Sequence, residues 1–256
     1  ESPQKFYVPR YFGVDNFGDF CENKLSMGDN INLDFKGDLR PYQINIVNKY
    51  LNFVKDSGGG LLDVDPGKGK TVMALYIISK LKKKTLVIVH KSFLLNQWIE
   101  RIQQFLPDAR VGKIQGQVVD IDDKDIVIGM LQSLSQKEYP DDMFNSFGLS
   151  IYDETHHLGA EVFSRCMIRT ITNYTLGLSG TMQRKDGLTK VFKMFLGDII
   201  HKEKTNTQEH SVIVKGIKYK SEDPEFNEMV YDYRGNLLYS TMLSKLCNFN
   251  RRSEFI

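Results

Sequence analysis

Val64-Asp65-Pro66-Gly67-Lys68-Gly69-Lys70-Thr71 lies between the apolar run that begins at Leu61 and an apolar-rich stretch that continues to Leu81. Read as strand, turn and helix, it has the chemistry of a phosphate-binding loop. Glycines at 67 and 69 let the backbone curl so that its N–H groups point inward around a phosphate. The helix that follows adds the positive end of its dipole. Lys70 reaches the β and γ oxygens of a nucleoside triphosphate, and the Thr71 hydroxyl suits Mg²⁺. The whole run from Val64 to Thr71 is therefore a candidate nucleotide site. It departs from G-x-x-x-x-G-K-[ST] at one position, because Val64 stands where the first glycine is usual. The bland alternative is a lysine-bearing helix cap in a glycine-rich turn.

Outward from this loop the chain alternates strands and helices. Upstream, Ile44, Val47, Leu51 and Val54 recur at helical spacing after Pro41, a good first-turn residue, and Gly58-Gly59-Gly60 breaks the helix. Leu61 to Val64 is a short strand and Thr71 to Leu81 a helix. Thr85 to His90 reads as a buried strand. Phe93 to Phe105 reads as a helix with Leu94, Trp98, Ile102 and Phe105 on one face, so Trp98 is expected in the core. Asp125–Ile128, Phe147–Tyr152 and Tyr174–Leu178 are further strands. Such alternation predicts an α/β domain with a mostly parallel sheet covered on both faces. Residues 1–36 are aromatic and turn-rich and read as a packing extension. Lys202 to Glu209 looks like a linker, Ser211 to Tyr219 alternates like a strand, and Asn227 to Asn248 is expected to be helical with interruptions. The run Lys80, Lys82, Lys83, Lys84 reads as a solvated helix end.

The second chemical motif is Asp153-Glu154-Thr155-His156, directly after the strand ending at Tyr152. Ligands of open parallel sheets sit at the carboxyl ends of strands. A carboxylate there can hold the Mg²⁺ water shell, and its neighbour can orient or deprotonate an attacking water. Asp153 is assigned to the metal and Glu154 to the water. His156 and His157 have no second ligand cluster, so zinc is not expected.

Composition agrees with a soluble globular chain: 41% hydrophobic and 26% charged residues exclude overall disorder. A net charge of +2 neither requires nor excludes a nucleic-acid partner. Three widely separated cysteines form no C-x-x-C pair, which points to a reducing intracellular compartment rather than a disulfide scaffold. No apolar stretch is long enough to span a membrane. The chain opens on Glu1 rather than Met, as expected of a processed chain or an excerpt, and Asn250 to Ile256 reads as a helix start cut off in its first turn.

Further motifs follow a fixed order. Leu39-Arg40-Pro41-Tyr42-Gln43 precedes the phosphate loop. Leu86-Val87-Ile88-Val89-His90-Lys91-Ser92-Phe93-Leu94-Leu95-Asn96-Gln97-Trp98 follows it, then Ile126-Val127-Ile128-Gly129-Met130-Leu131-Gln132-Ser133-Leu134, and after the acidic motif Leu176-Gly177-Leu178-Ser179-Gly180-Thr181. Together these resemble the first RecA-like lobe of superfamily 2 helicases over residues 37–205. They look most like DExH enzymes of the repair and transcription type and helicases of large cytoplasmic DNA viruses. The resemblance implies a RecA-like P-loop domain at 37–205, preceded by the extension at 1–36. Residues 206–256 would then be a linker and the beginning of a second lobe.

The resemblance also implies roles. Gln43, with Arg40 nearby, contacts the adenine of ATP. Lys70 and Glu154 are catalytic, and Thr71 and Asp153 hold Mg²⁺. His156, Ser179 and Thr181 couple nucleotide state to the other lobe and the nucleic acid. Lys91 stands in a strand-contacting motif that departs from the usual Pro-Thr, so it reads either as a phosphate contact or as a solvated loop charge. Gly116 lies where a further backbone-contacting loop is expected. Gly180 replaces a more usual alanine, a change expected to be tolerated. The implied activity is ATP-dependent unwinding of, or movement on, nucleic acid. The Thr-His variant leans toward DNA over RNA. A second RecA-like lobe would supply arginine fingers for hydrolysis, and no Q-x-x-G-R-x-x-R segment occurs in this chain. The competing reading is a catalytically weak, nucleotide-sensing module that binds nucleic acid, to which Val64 and the lack of a second-lobe motif lend some weight.

Overall fold

The computed structural model describes residues 7–140, 142–153, 160–180, 188–202 and 218–255. The chain divides into two compact units, Glu1–Thr205 and Asn206–Ile256. In the first, α1 (Arg10–Phe17) precedes α2 (Pro41–Ser57), β1 (Gly59–Asp63), α3 (Lys70–Leu81), β2 (Thr85–Val89) and α4 (Ser92–Phe105). Then come β3 (Val111–Gln115), β4 (Val118–Val119), β5 (Ile126–Met130), α5 (Leu131–Gln136), β6 (Leu149–Asp153), α6 (Ala160–Arg169), β7 (Tyr174–Ser179), α7 (Leu188–Leu196) and β8 (Ile199–Lys202). The strands form one sheet in the order β4-β3-β5-β2-β6-β7-β1-β8, parallel throughout except for the β3–β4 hairpin.

Both faces of the sheet are buried because alternate strand residues feed two cores. Leu62, Val87, Val89, Ile126, Ile128 and Ile151 point to one core, shared with α2, α3 and α4. Leu61, Leu86, Ile88, Val127 and Tyr152 point to the other, shared with Phe163 and Cys166 of α6 and Phe192 of α7. Each fully buried Leu or Ile contributes about 1.5–3 kcal/mol, so the central strands are the stable frame that carries the loops at their carboxyl ends. Burial pushes the Cys166 thiol up to about 12, which keeps it protonated at neutral pH.

Several expectations need correction. In α2 the buried residues are Gln43, Ile46, Val47, Tyr50 and Val54, while Ile44 is exposed, because the helix turns Gln43 rather than Ile44 inward. The lysine run is a solvated helix end only in part, since Lys80 and Lys82 at the end of α3 are exposed. Lys84 is buried and donates to the Ile121 carbonyl, and Lys82 and Lys83 donate to Asn32 and Asn30. The bonds to Asn30 and Asn32, with the Asn30–Lys83 bridge, fasten the N-terminal segment to the body. Farther up the same segment, Arg10 donates to the Asn173 carbonyl. The elements β3, β4, α6, α7 and β8 have no counterpart in the reading of the sequence.

In the second unit, α8 (Pro224–Asn227), α9 (Tyr239–Asn248) and α10 (Asn250–Phe255) are separate helices. The helix expected from Asn227 to Asn248 begins only at Tyr239. Asp232 accepts backbone bonds from Arg234 and Asn236, and Gly235 has φ +78°, so the chain turns there and Tyr231 bridges Leu237. Of the strand expected at Ser211–Tyr219, residues 211–217 lie outside the described residues. No described helix is long and apolar enough to cross a membrane.

Candidate functional site

The phosphate loop leaves the carboxyl end of β1 and enters α3 through Gly69, whose φ of +82° lets it cap the helix in the left-handed region. A Cβ at Gly69 would lie 2.4 Å from Gln43 Nε2, whereas one at Gly67, also at positive φ, would meet nothing within 4 Å. The loop is thus packed on one side and open on the other. Val64 now has a physical account. Its side chain is buried in the core and its N–H donates to the Ser179 carbonyl at 2.9 Å, continuing the strand by one residue. Its own carbonyl accepts from Lys70 Nζ at 3.3 Å.

Gln43 holds the loop from the α2 side. Its Oε1 accepts from the Arg40 N–H and its Nε2 donates to the Lys68 carbonyl, both at 2.9 Å. Tyr42 donates its hydroxyl to the same carbonyl at 3.0 Å. At 4% exposure Gln43 is no surface residue, while Arg40 remains exposed.

Asp153 is the last residue of β6. The order β6-β7-β1 puts one strand between it and the loop, a separation of about 10 Å at ordinary strand spacing. Both border a cleft of about 540 Å³, with Arg40, Gln43, Pro66, Gly67, Gly69, Lys70 and Thr71 on its walls. Lys70 and Asp153 are both buried. Gln97 and Arg101, one helical turn apart on α4, also line the cleft and went unread in the sequence. Trp98 is 1% exposed, as its apolar stripe predicts, but its Nε1–H donates to Asp153 Oδ2 at 2.8 Å. Hydrogen bonds to a charged group contribute about 1.5–3 kcal/mol. Ser179 ends β7 between the two motifs and is fully buried. A Cβ at Gly180 would lie 2.9 Å from Pro66 Cδ, so the exchange for alanine is tighter than the sequence implied. Glu154, His156 and Thr181 lie outside the described residues.

The donor set fits a magnesium nucleotide. Curled amides and an ammonium suit phosphate, and a hydroxyl and a carboxylate are hard oxygen donors for the cation. Among the described residues, no group of three or more His, Cys, Asp or Glu could hold a metal by itself.

Farther along the same edge, Lys91 follows β2 and is exposed, its Nζ 5.9 Å from the centre of the Phe93 ring. Phe93 is 60% exposed. Gly116 sits in the β3–β4 turn at φ +56°, donates its N–H to Ser133 Oγ at 2.9 Å and accepts from Lys137 at its carbonyl. Strands β2, β5 and β3 are neighbours, so these groups share one end of the sheet.

The comparisons with known proteins agree with this geometry. The family described as type III restriction enzyme, res subunit, matches residues 36–184, and the chain belongs to it. A protein of Acanthamoeba polyphaga mimivirus, named as an ATP-dependent RNA helicase, is 35% identical over 254 residues, covering 97% of this chain and 48% of that protein. The DNA 3'-5' translocase XPB2 of Sulfurisphaera tokodaii is 31% identical over 193 residues, covering 72% and 42%. Among solved structures, the UvsW helicase of bacteriophage T4 superposes with a TM-score of 0.55 at 20% identity, covering 73% of this chain and 74% of that one. The SWI2/SNF2 ATPase core of Sulfolobus solfataricus in complex with dsDNA gives 0.54 at 22%, covering 68% and 38%. The fold is therefore that of the first RecA-like lobe of superfamily 2 helicases. The chain spans about half the length, or less, of the curated relatives named here.

Proposed function

We propose that this chain is the nucleotide-binding lobe of an ATP-driven helicase or translocase acting on nucleic acid. The observation that carries this reading is the single cleft bordered by the phosphate loop, Gln43 and Asp153. In it the amides of Gly67–Lys70 and the Lys70 ammonium grip the phosphates, while Gln43 and Arg40 stand at the base. Thr71 and Asp153 hold Mg²⁺, which when bound neutralises charge developing on the phosphates. Glu154 orients or deprotonates the attacking water. His156, Ser179 and Thr181 relay nucleotide state, and Lys91 and Gly116 contact the nucleic-acid backbone. Residues 206–256 open a second lobe, which supplies the arginines that hydrolysis needs. Backbone contacts suit a motor that must accept any sequence.

DNA is the favoured substrate over RNA. The relatives' names divide between DNA translocase and RNA helicase, so the Thr-His motif carries the preference. The reading as a weak nucleotide sensor rests on Val64 and on the lack of a Q-x-x-G-R-x-x-R segment in this chain, and the packing role of Val64 weakens the first of these.

The test is ATP binding and turnover of the protein with single-stranded DNA, duplex DNA and RNA. Turnover stimulated by DNA is expected of a longer protein that carries the second lobe, and only very slow turnover of residues 1–256 alone. Lys70→Ala should abolish binding, and Glu154→Gln should stop turnover while preserving binding. A Lys70→Ala protein that binds and hydrolyses ATP like the wild type would overturn the reading.

A further inference from the structure

We propose that Trp98 is a positioning residue for the metal-binding carboxylate, and that its indole reports the arrival of the cation. This rests on the nucleotide-site reading above and adds a residue to it.

The sequence places Trp98 on the apolar face of α4 with Leu94 and Ile102, where its ring fills the core as other large apolar side chains would. What distinguishes tryptophan there is its single N–H donor. A buried indole normally finds a partner for that group, and the partner here is the Asp153 carboxylate, at 2.8 Å from Nε1 to Oδ2. Both residues are buried, at 1% and 8% exposure, so water does not compete well for either end of the bond. Asp153 is fixed at the end of a strand paired on both sides, with β2 and β7. α4 is anchored in the same core as that strand by Leu95 and Ile102. Donor and acceptor thus stand on two elements that feed the same core, with α4 lying over β2 and β5, and the bond fixes the rotation of the carboxylate.

A carboxylate has about four lone-pair sites on its two oxygens. Asp153 can therefore accept the indole and still serve a cation or its water shell. Partners behind a metal-ligating carboxylate hold its orientation, and removing them typically costs 10–100-fold in metal affinity. The same geometry makes a signal. Trp98 is the single tryptophan of the chain, and a divalent charge at Asp153 would lie one carboxylate away from its indole.

The experiment compares wild type, Trp98→Phe, Asp153→Asn and the double variant. Binding of a non-hydrolysable ATP analogue is measured by calorimetry with and without Mg²⁺, and wild-type tryptophan emission is followed as Mg²⁺ is added to the nucleotide complex. Thermal melting checks that each variant is folded. Metal-free affinity should be the same within about twofold in wild type and Trp98→Phe. The tightening produced by Mg²⁺ should fall about tenfold or more in Trp98→Phe, and Trp98→Phe should cost nothing further once Asp153 is asparagine. Emission should change on Mg²⁺ addition to the wild-type complex. Equal Mg²⁺ tightening in folded Trp98→Phe and wild type would overturn the proposal and leave the nucleotide site standing. A wild-type protein that binds no nucleotide at all would remove both. If Trp98→Phe does not fold, Trp98→His, which keeps a ring N–H donor, serves as the second variant. Partial recovery of the Mg²⁺ effect in it supports positioning, and its complete loss in a folded protein overturns it.

Discussion

Two stretches of the sheet's carboxyl edge differ sharply. Over β1, β7 and β6, Lys70, Ser179 and Asp153 are buried, and neighbouring side chains bond the loop and the carboxylate in place. Over β2, β5 and β3, Lys91, Phe93 and Gly116 stand in solvent. A group that must grip one ligand in one geometry gains from being held rigidly before the ligand arrives. A group that must accept successive, chemically uniform phosphates needs charge and exposure more than fixed geometry. The first stretch is thus built like a core and the second like a surface, as the proposed division between nucleotide and nucleic acid requires.

The largest effect should come from disturbing the rigid stretch. Gly69→Ala forces a non-glycine residue to a φ of +82° and pushes a Cβ against Gln43. Left-handed strain alone costs about 1–3 kcal/mol, so nucleotide affinity should fall by about tenfold or more, measurable by calorimetry. An unchanged affinity would break the claim that this stretch is preorganised. Lys91→Ala probes the exposed stretch. It should weaken binding to all nucleic-acid sequences alike and lower the slope of log affinity against log salt by about one, with nucleotide binding unchanged. A loss confined to one sequence would break the assignment to backbone contact.

The smallest effect is a control at the opposite end of the sheet. Asp125, just before β5, accepts from the Arg110 backbone and guanidinium. The Arg110 guanidinium holds the Asp125 carboxyl below its ordinary value. The stability this contributes is fully present above the unfolded carboxylate value of about 3.9 and is lost as pH falls through the lowered folded value. Asp125→Asn should therefore remove part of the stability drop in acid, read by thermal melting against pH, and leave nucleotide binding untouched. A change in nucleotide affinity would show that the two ends of the sheet are not independent.

The phosphate loop was legible because its chemistry is local: two glycines, a lysine and a threonine in a short run between a strand and a helix. The strands β1, β2 and β5 were legible from their apolar runs. β3 was not, because Val111-Gly112-Lys113-Ile114-Gln115 alternates around an exposed lysine near the sheet edge. β8 is only four residues long. α6 did carry a signal, since Phe163, Cys166 and Met167 recur at helical spacing, and it went unread.

The residues of this chain alone determined which chemistry is present: a loop that curls around phosphate, an acid at a strand end and the apolar periodicities that make a two-faced sheet. Those depend on bonds and spacings within a few residues. Strand order, the inward turn of Gln43 and the indole on Asp153 were decided by the tertiary structure. Each joins positions far apart in the chain, such as Trp98 and Asp153, and such pairings form only when two elements bury their apolar faces against each other.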